Sequence, residues 1–458
     1  MIMKTIRPFA VLVILFFGLL SAVWGVIPFH DDWTYVTAPN VTFEWSQLMP
    51  GIEFWRPFDV MWGAVMGKVP NLFPLANRVA ICLGHSLNVF LVWQVLFRLG
   101  FGNAVGCAWG ALYFGLSSSV AAVVVNTDTI NQVWCFSFGA LALLLSLKRD
   151  RFVVWPLIVS FLFKESGVSW LAIIPLVVWL KRSRGLDTEI AIRQFPIRYV
   201  GMGVVILAIY FAIRFLLCGK IALGGGGYYE LGCTEQETFV NVLIGTIMPL
   251  SAVDGLAFAC EKWFLFLCTI LLSMGLWGSV VLCVTLGAEK KTMYRAAVVA
   301  VIAAFAMAIP HCFFKGHHPA EMHFYPVVFA GALLIGSVRV EGKMCRAAVV
   351  GILCMLALYG EGWADKFYET YAHSRRTRAL FERLRKEKID FSQPVYFIVE
   401  LDRDIHYYST FTSCAAHGLN FGRACRAFNG WRDFDCRVMI GPDESAQIPY
   451  HAQVVRIK

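Results

Sequence analysis

Apolar runs long enough to cross a bilayer recur through the first 360 positions of the chain, and no other feature restricts its fold as strongly. In hydrocarbon every backbone N–H and C=O must be satisfied within the chain, so such runs become helices unless they close a barrel. The first of them, "PFAVLVILFFGLLSAVWGVI", is flanked by Lys4 and Arg7. Its apolar core exceeds the roughly 7–15 residues of a signal peptide, and Pro28-Phe29-His30 follows rather than a small-residue cleavage site, so a retained first span is expected. With 58% hydrophobic and only 16% charged residues, the chain is far from a water-soluble domain.

The net charge of +9 does not form a stripe that could follow a nucleic acid. The basic residues fall in short clusters between apolar runs: Lys4 and Arg7, Arg98, "KRDR" at 148–151, "KRSR" at 181–184, "EKKTMYR" at 289–295 and "RVEGKMCR" at 339–346. Placing these on the cytoplasmic side gives a consistent alternation. The spans are then 8–27, 75–97, 104–120, 129–147, 152–164, 167–180, 199–218, 262–287, 296–313, 324–338 and 346–360. That is an all-α polytopic membrane protein of about eleven crossings, N-terminus inside and C-terminus outside. Fourteen cysteines show no metal-ligand spacing and read mostly as small apolar helix residues, although Cys414, Cys425 and Cys436 leave room for one disulfide in the tail. No internal repeat is evident, and "GGGG" at 224–227 marks a loop.

The chemically interesting polar residues all fall on the outer face of this map. A first outer loop at 28–74 carries "TFEWSQLMPGIEFWRPFDVMWGAVMGKV", whose aromatic and Met content suits helices lying in the interface above a lipid-facing cavity, or an aromatic belt. In it Arg56 precedes Pro57, a residue suited to the first helical position. A guanidinium there fits a phosphate or anchors a headgroup. Asp31 and Asp32, in "FHDDW", could act as general base, metal ligand or helix cap. With no second acidic cluster to complete a metal shell, the base is favoured.

Lys164 and Glu165 stand between two short spans, either as a structural pair or with Lys164 on a phosphate that Glu165 orients. Glu321, His323 and Tyr325 form a further outer cluster and are candidate substrate-binding residues. Neighbouring His317 and His318 seldom face one ion, so no metal site is expected. His85 and Asn88 fit interhelical hydrogen bonding.

From residue 361 the composition changes to a charged amphipathic helix, "ADKFYETYAHSRRTRALFERLRKEKI". The strand-like "PVYFIVEL", "RVMIG" and "AQVVRIK" follow. Residues 361–458 are expected to be a small external α/β domain beside a transmembrane unit of 1–360.

In order and topology, "FHDDW", "FWRPF", "FKESG" and "EMHFYP" resemble the GT-C polytopic glycosyltransferases, particularly the protein O-mannosyltransferase-like branch and bacterial polyprenyl-phosphate-sugar transferases. The likeness implies inverting transfer of a sugar from a polyprenyl-phosphate donor to a glycan, lipid or protein acceptor on the outer face. Asp31 or Asp32 would be the base, Arg56 and Lys164 would hold the donor phosphate, and Glu165, Glu321, His323 and Tyr325 would contact substrate. Protein mannosyltransferases carry Asp-Glu where this chain has Asp-Asp, and it lacks their large lumenal insertion. No cofactor is expected: "GGGGYY" lacks the Lys-Ser/Thr of a phosphate loop. A flippase, or a polymerase or ligase of lipid-linked glycans, is the rival reading. A bacterial inner membrane with the site facing the periplasm is favoured over an ER membrane, where Asn40-Val41-Thr42 would be a sequon.

Overall fold

The computed structural model describes residues 2–26, 55–69, 73–127, 129–218, 263–286, 290–312, 321–399, 436–440, 448 and 451–457. Asp31, Asp32, Asn40, the 224–227 glycines, His317, His318, Cys414 and Cys425 lie outside the described residues.

Among the described residues each expected span overlaps a helix, and the one expected at 104–120 is broken into two. In chain order these are α1 Ile2–Val23, α2 Pro57–Gly67, α3 Phe73–Leu99, α4 Ala104–Leu116, α5 Ser118–Val125, α6 Ile130–Leu147 and α7 Val154–Phe163. They continue with α8 Ser169–Arg182, α9 Thr188–Arg193, α10 Ile197–Cys218, α11 Trp263–Leu286, α12 Lys290–Cys312, α13 Val328–Gly336 and α14 Met344–Lys386. Among the described residues, five helices are long and apolar enough to cross a membrane: the greater parts of α3, α6, α10, α11 and α14. The pair α4 and α5, bent by 46°, makes a sixth if it is one span.

That bend shows how the chain satisfies its backbone. A helix that stops at Leu116 leaves its last carbonyls without intrahelical partners, which is costly in an apolar interior. Ser117 Oγ reaches the Phe114 carbonyl (3.4 Å), His85 Nε2 the Gly115 carbonyl (3.1 Å) and Trp363 Nε1 the Leu116 carbonyl (2.8 Å). The break residue itself and two other helices, α3 and α14, thus supply the donors that stabilise one break.

Close approach of backbones holds the other side of α4. Gly102, Gly106 and Gly110 recur every four residues and face α13 and the turn after it. A Cβ at Gly106 would collide with the Val338 carbonyl, and one at Gly110 would lie 2.6 Å from the Ala332 carbonyl. Small residues at this spacing let helices meet without intervening side chains. At its start α4 is capped by Asn103, whose Oδ1 accepts from the Gly106 N–H (3.1 Å) while its Nδ2 donates to the Val340 carbonyl (2.7 Å).

The end of the bundle that carries the C-termini of α3, α6 and α8 is stabilised by basic side chains at helix carbonyls. Lys181 Nζ donates to Leu147 O (3.1 Å), Arg184 to Gly100 O (2.5 Å), and Arg295 to Ser183 O and Leu186 O (2.5 and 2.8 Å). Cations there complement the negative ends of the helix dipoles.

The last expected span and the amphipathic helix after it are one continuous element. α14 has 43 residues, about 64 Å at 1.5 Å per residue and twice the thickness of a bilayer core. Position 361 therefore falls inside a helix. Beyond the apolar part, Tyr371 OH donates to the Ala22 carbonyl of α1 (2.7 Å). A parallel three-stranded sheet follows, with β1 Val395–Val399 between β2 Cys436–Ile440 and β3 Gln453–Ile457. Val395 and Phe397 are fully buried in it.

The glycine contact between α4 and α13 gives a test. Gly106→Ala should lower the midpoint of thermal unfolding in detergent, with an overpacking cost of about 1–3 kcal/mol. Gly278→Ala in α11, where an added Cβ meets nothing within 4 Å, should leave it unchanged or slightly raised.

Candidate functional site

Pro57, with its fixed φ and no N–H, opens α2, and Arg56 is the residue before it. Arg56 Nε donates to Glu165 Oε2 at 2.8 Å, and the Trp55 N–H donates to Glu165 Oε1 at 3.0 Å. Both oxygens of one carboxylate therefore hold the start of α2 onto the 3-10 turn Glu165–Val168 that separates α7 from α8. The ion pair is mostly sheltered, with side-chain exposures of 22% and 15%, so solvent weakens it less than a surface pair.

The rest of α2 docks through polar and aromatic contacts. Asn131 donates to Asp59 (3.2 Å), and Trp62 Nε1 donates to Asn77 Oδ1 (2.6 Å). Asn77 in turn donates to the Thr127 carbonyl (2.8 Å). Phe58 stacks on Phe163 (5.1 Å) and Trp55 on Tyr210 of α10 (5.3 Å). Segments from α2, α3, α6, the α7–α8 break and α10 thereby meet at one end of the bundle, opposite the basic end where α8 and α6 finish.

The sequence places Lys164 and Glu165 side by side and suggests a local pair or a joint grip on phosphate. In the structure Glu165 is taken by Arg56 and Trp55. Lys164 has extended backbone (φ −159°, ψ 142°) where Glu165 begins a helical turn, and such neighbours project in different directions. Glu165 therefore orients Arg56, which the sequence reading does not anticipate.

Two further cations were missed. Arg78 is 4% exposed and Arg214 1% exposed, and both are engaged. Arg78 adjoins Asn77, the partner of Trp62. Arg214 lies one turn beyond Tyr210, whose hydroxyl feels the charges of Glu165, Arg214 and Arg56. The signal was available in "ANRVAICL" and "AIRFLL", where a lone Arg interrupts an apolar run. Arg56, Lys164, Arg78 and Arg214 thus gather at the same end.

The 3-10 turn Glu321–Phe324 packs against α5 and α12, and α12 also touches the Glu165–Val168 turn. His323 is half-buried there. Tyr325, the third of the expected substrate-binding residues here, is fully buried. Asn88 Nδ2 donates to its hydroxyl (2.7 Å), which lies 3.0 Å from His85 Nδ1. Since His85 Nε2 donates to Gly115 O, its Nδ1 accepts from Tyr325, so both ring nitrogens and the Tyr325 hydroxyl are satisfied. His85 and Asn88 are interhelical hydrogen-bonding residues, as the sequence suggests.

These helices and buried cations define a multi-pass membrane protein of the polytopic helical class. No protein-family profile and no curated protein matches the chain. Among solved structures, the crystal structure of ArnT from Cupriavidus metallidurans bound to undecaprenyl phosphate is similar. It has 13% identity and a TM-score of 0.50, and the match covers 97% of this chain and 94% of that one. The chain therefore has an ArnT-like fold over nearly its whole length, in keeping with its resemblance to the GT-C class.

Tyr325→Phe should leave the Asn88 amide and His85 Nδ1 without their shared partner and destabilise the protein by about 1–3 kcal/mol. A thermal shift in detergent checks this, with substrate affinity of the folded fraction unchanged.

Proposed function

We propose that the chain is a glycosyltransferase of the polyprenyl-phosphate-dependent type, moving a sugar from a lipid-linked donor to a glycan, lipid or protein acceptor. The observation that carries the reading is the Arg56–Glu165 clasp, with Lys164, Arg78 and Arg214 gathered at the same end of the bundle. The ArnT structure was solved with undecaprenyl phosphate bound, and a lipid phosphate is the ligand proposed here. About eleven crossings, with this end facing outward and the basic clusters inside, complete the reading. So do the external domain of residues 361–458 and a periplasm-facing site in a bacterial inner membrane.

In the proposed reaction an acceptor hydroxyl attacks the anomeric carbon from the face opposite the phosphate. A new glycosidic C–O bond forms as the bond from that carbon to the phosphate oxygen breaks, with inversion. The hydroxyl proton passes to Asp31 or Asp32, and the electron pair leaves on the lipid phosphate. Negative charge grows on the departing phosphate, so cations fixed beforehand favour the transition state over the bound donor. Arg56, held at Nε by Glu165, has its guanidinium plane set before substrate arrives, and Lys164 adds a second positive charge. Glu321 and His323 are proposed to contact substrate.

The test is reconstitution with a polyprenyl-phosphate sugar and mass spectrometry of lipid-linked sugars and glycans with and without the gene. Asp31→Asn or Asp32→Asn should cut turnover by about 10²–10⁴ while donor binding persists. If both variants modify the acceptor fully, the base assignment is wrong and a flippase, which needs no base, is favoured. Arg56→Ala should lower turnover about 10²–10³-fold. Glu165→Gln, which carries no charge and has an acceptor for only one of the two N–H donors, should show a smaller loss concentrated in the KM for donor.

A further inference from the structure

At the end of the bundle opposite Arg56 and Glu165, five cations are brought together from four separate segments. They are Arg98 in the last turn of α3, Arg149 in the turn after α6, Lys181 and Arg182 at the end of α8, and Arg198 at the start of α10. The charges acting on Lys181 are Arg98 and Arg149, and those on Arg182 include Arg198 and Arg149. None of the five forms an ion pair among the described residues. Of the carboxylates nearest in sequence, Asp150 accepts from the Phe152 N–H (2.9 Å) and Asp187 from Lys291 (3.3 Å).

Like charges held this close raise each other's energy, and two of them are fixed in place. Lys181 Nζ is bonded to Leu147 O. Arg198 lies over the Tyr199 ring (4.6 Å) and bonds its hydroxyl (2.8 Å), which donates to Ser146 O (3.2 Å). Arg149 has a left-handed backbone, φ 62°. Its N–H bonds Ser146 O and the Asp150 N–H bonds Leu145 O, the Schellman closure whose left-handed position glycine usually fills. An arginine there accepts backbone strain to set a fifth positive charge beside the others.

We propose that this cluster is a binding site for the phosphate headgroup of an anionic phospholipid. The lipid source is favoured because large apolar side chains adjoin the cations in the chain and are exposed: Phe97 59%, Phe152 54%, Trp155 67% and Ile197 74%. A soluble anion would gain nothing from them, whereas a lipid places its phosphate among the cations and its acyl chains against these side chains. The site is separate from the proposed sugar-transfer end and stands without it.

The test uses the full chain in nanodiscs of phosphatidylcholine alone or with phosphatidylglycerol, reading retained lipid by native mass spectrometry and stability by thermal unfolding. Wild type should retain phosphatidylglycerol preferentially and unfold at higher temperature in its presence. The double variant Arg149→Asn with Arg182→Gln removes two charges without removing a side-chain hydrogen bond, and Asn suits the left-handed position. Its phosphatidylglycerol preference should fall about tenfold or more. In phosphatidylcholine alone it should be at least as stable as wild type, since repulsion is relieved. Undiminished preference in the double variant, or the same thermal gain from inorganic phosphate in phosphatidylcholine nanodiscs, overturns the proposal. If the double variant fails to fold, Arg98→Gln carries the same comparison.

Discussion

Within an apolar bundle the backbone is the most demanding polar group, and each interruption of a helix must be met by donors or acceptors from elsewhere. The break at Ser117 is met by His85 and Trp363, which come from α3 and α14. The break at Lys164 keeps its local bonds, Lys164 N to Ser160 O and Gly167 N to Lys164 O, and its Glu165 carboxylate binds the start of α2. Helices far apart in sequence are thus tied together at the points where the regular ladder fails. The candidate site grows from one such point.

The two ends of the bundle use basic residues in different physical ways. At one end Lys181, Arg184 and Arg295 donate to carbonyls at helix termini, where the dipole and the geometry both favour a cation. At the other, Arg56 is held by a carboxylate and Arg78 and Arg214 are withdrawn from solvent. Burying a guanidinium carries a desolvation cost that packing alone does not offset, so such placement marks a region organised around charge. Composition counts all these residues alike, and only their depth separates them.

Much of the architecture was legible because hydrophobic length and basic clusters are one-dimensional signals. The limits of α3, α6 and α11 fall within a few residues of the apolar runs; β1 and β3 lie within the segments read as strands, and β2 begins one residue before its segment. What escaped the sequence depends on direction. The apolar pattern ends near 360 and a charged helical pattern begins there, but nothing in the change says whether the helix stops, and α14 does not. The glycines at 102, 106 and 110 were present in the sequence, but their importance depends on α13 lying against them. Arg78 and Arg214 were hidden by reading apolar runs as uniform.

The clusters at 164–165 and 321–325 share a physical feature. At a helix break the backbone passes through extended or 3-10 conformations, so adjacent polar side chains diverge and one short segment serves two environments. Tyr325 turns inward to the His85 and Asn88 network while the Glu321–Phe324 turn lies against α5 and α12. Tyr325 anchors the turn: its hydroxyl is bonded to α3, and the same His85 ring holds the carbonyl at the α4–α5 bend. The geometry of that turn therefore depends on a hydrogen-bond network reaching it through Tyr325. Residues in a polar cluster beside a membrane helix break hold the break as well as offering chemistry, and sequence spacing alone does not tell the two roles apart.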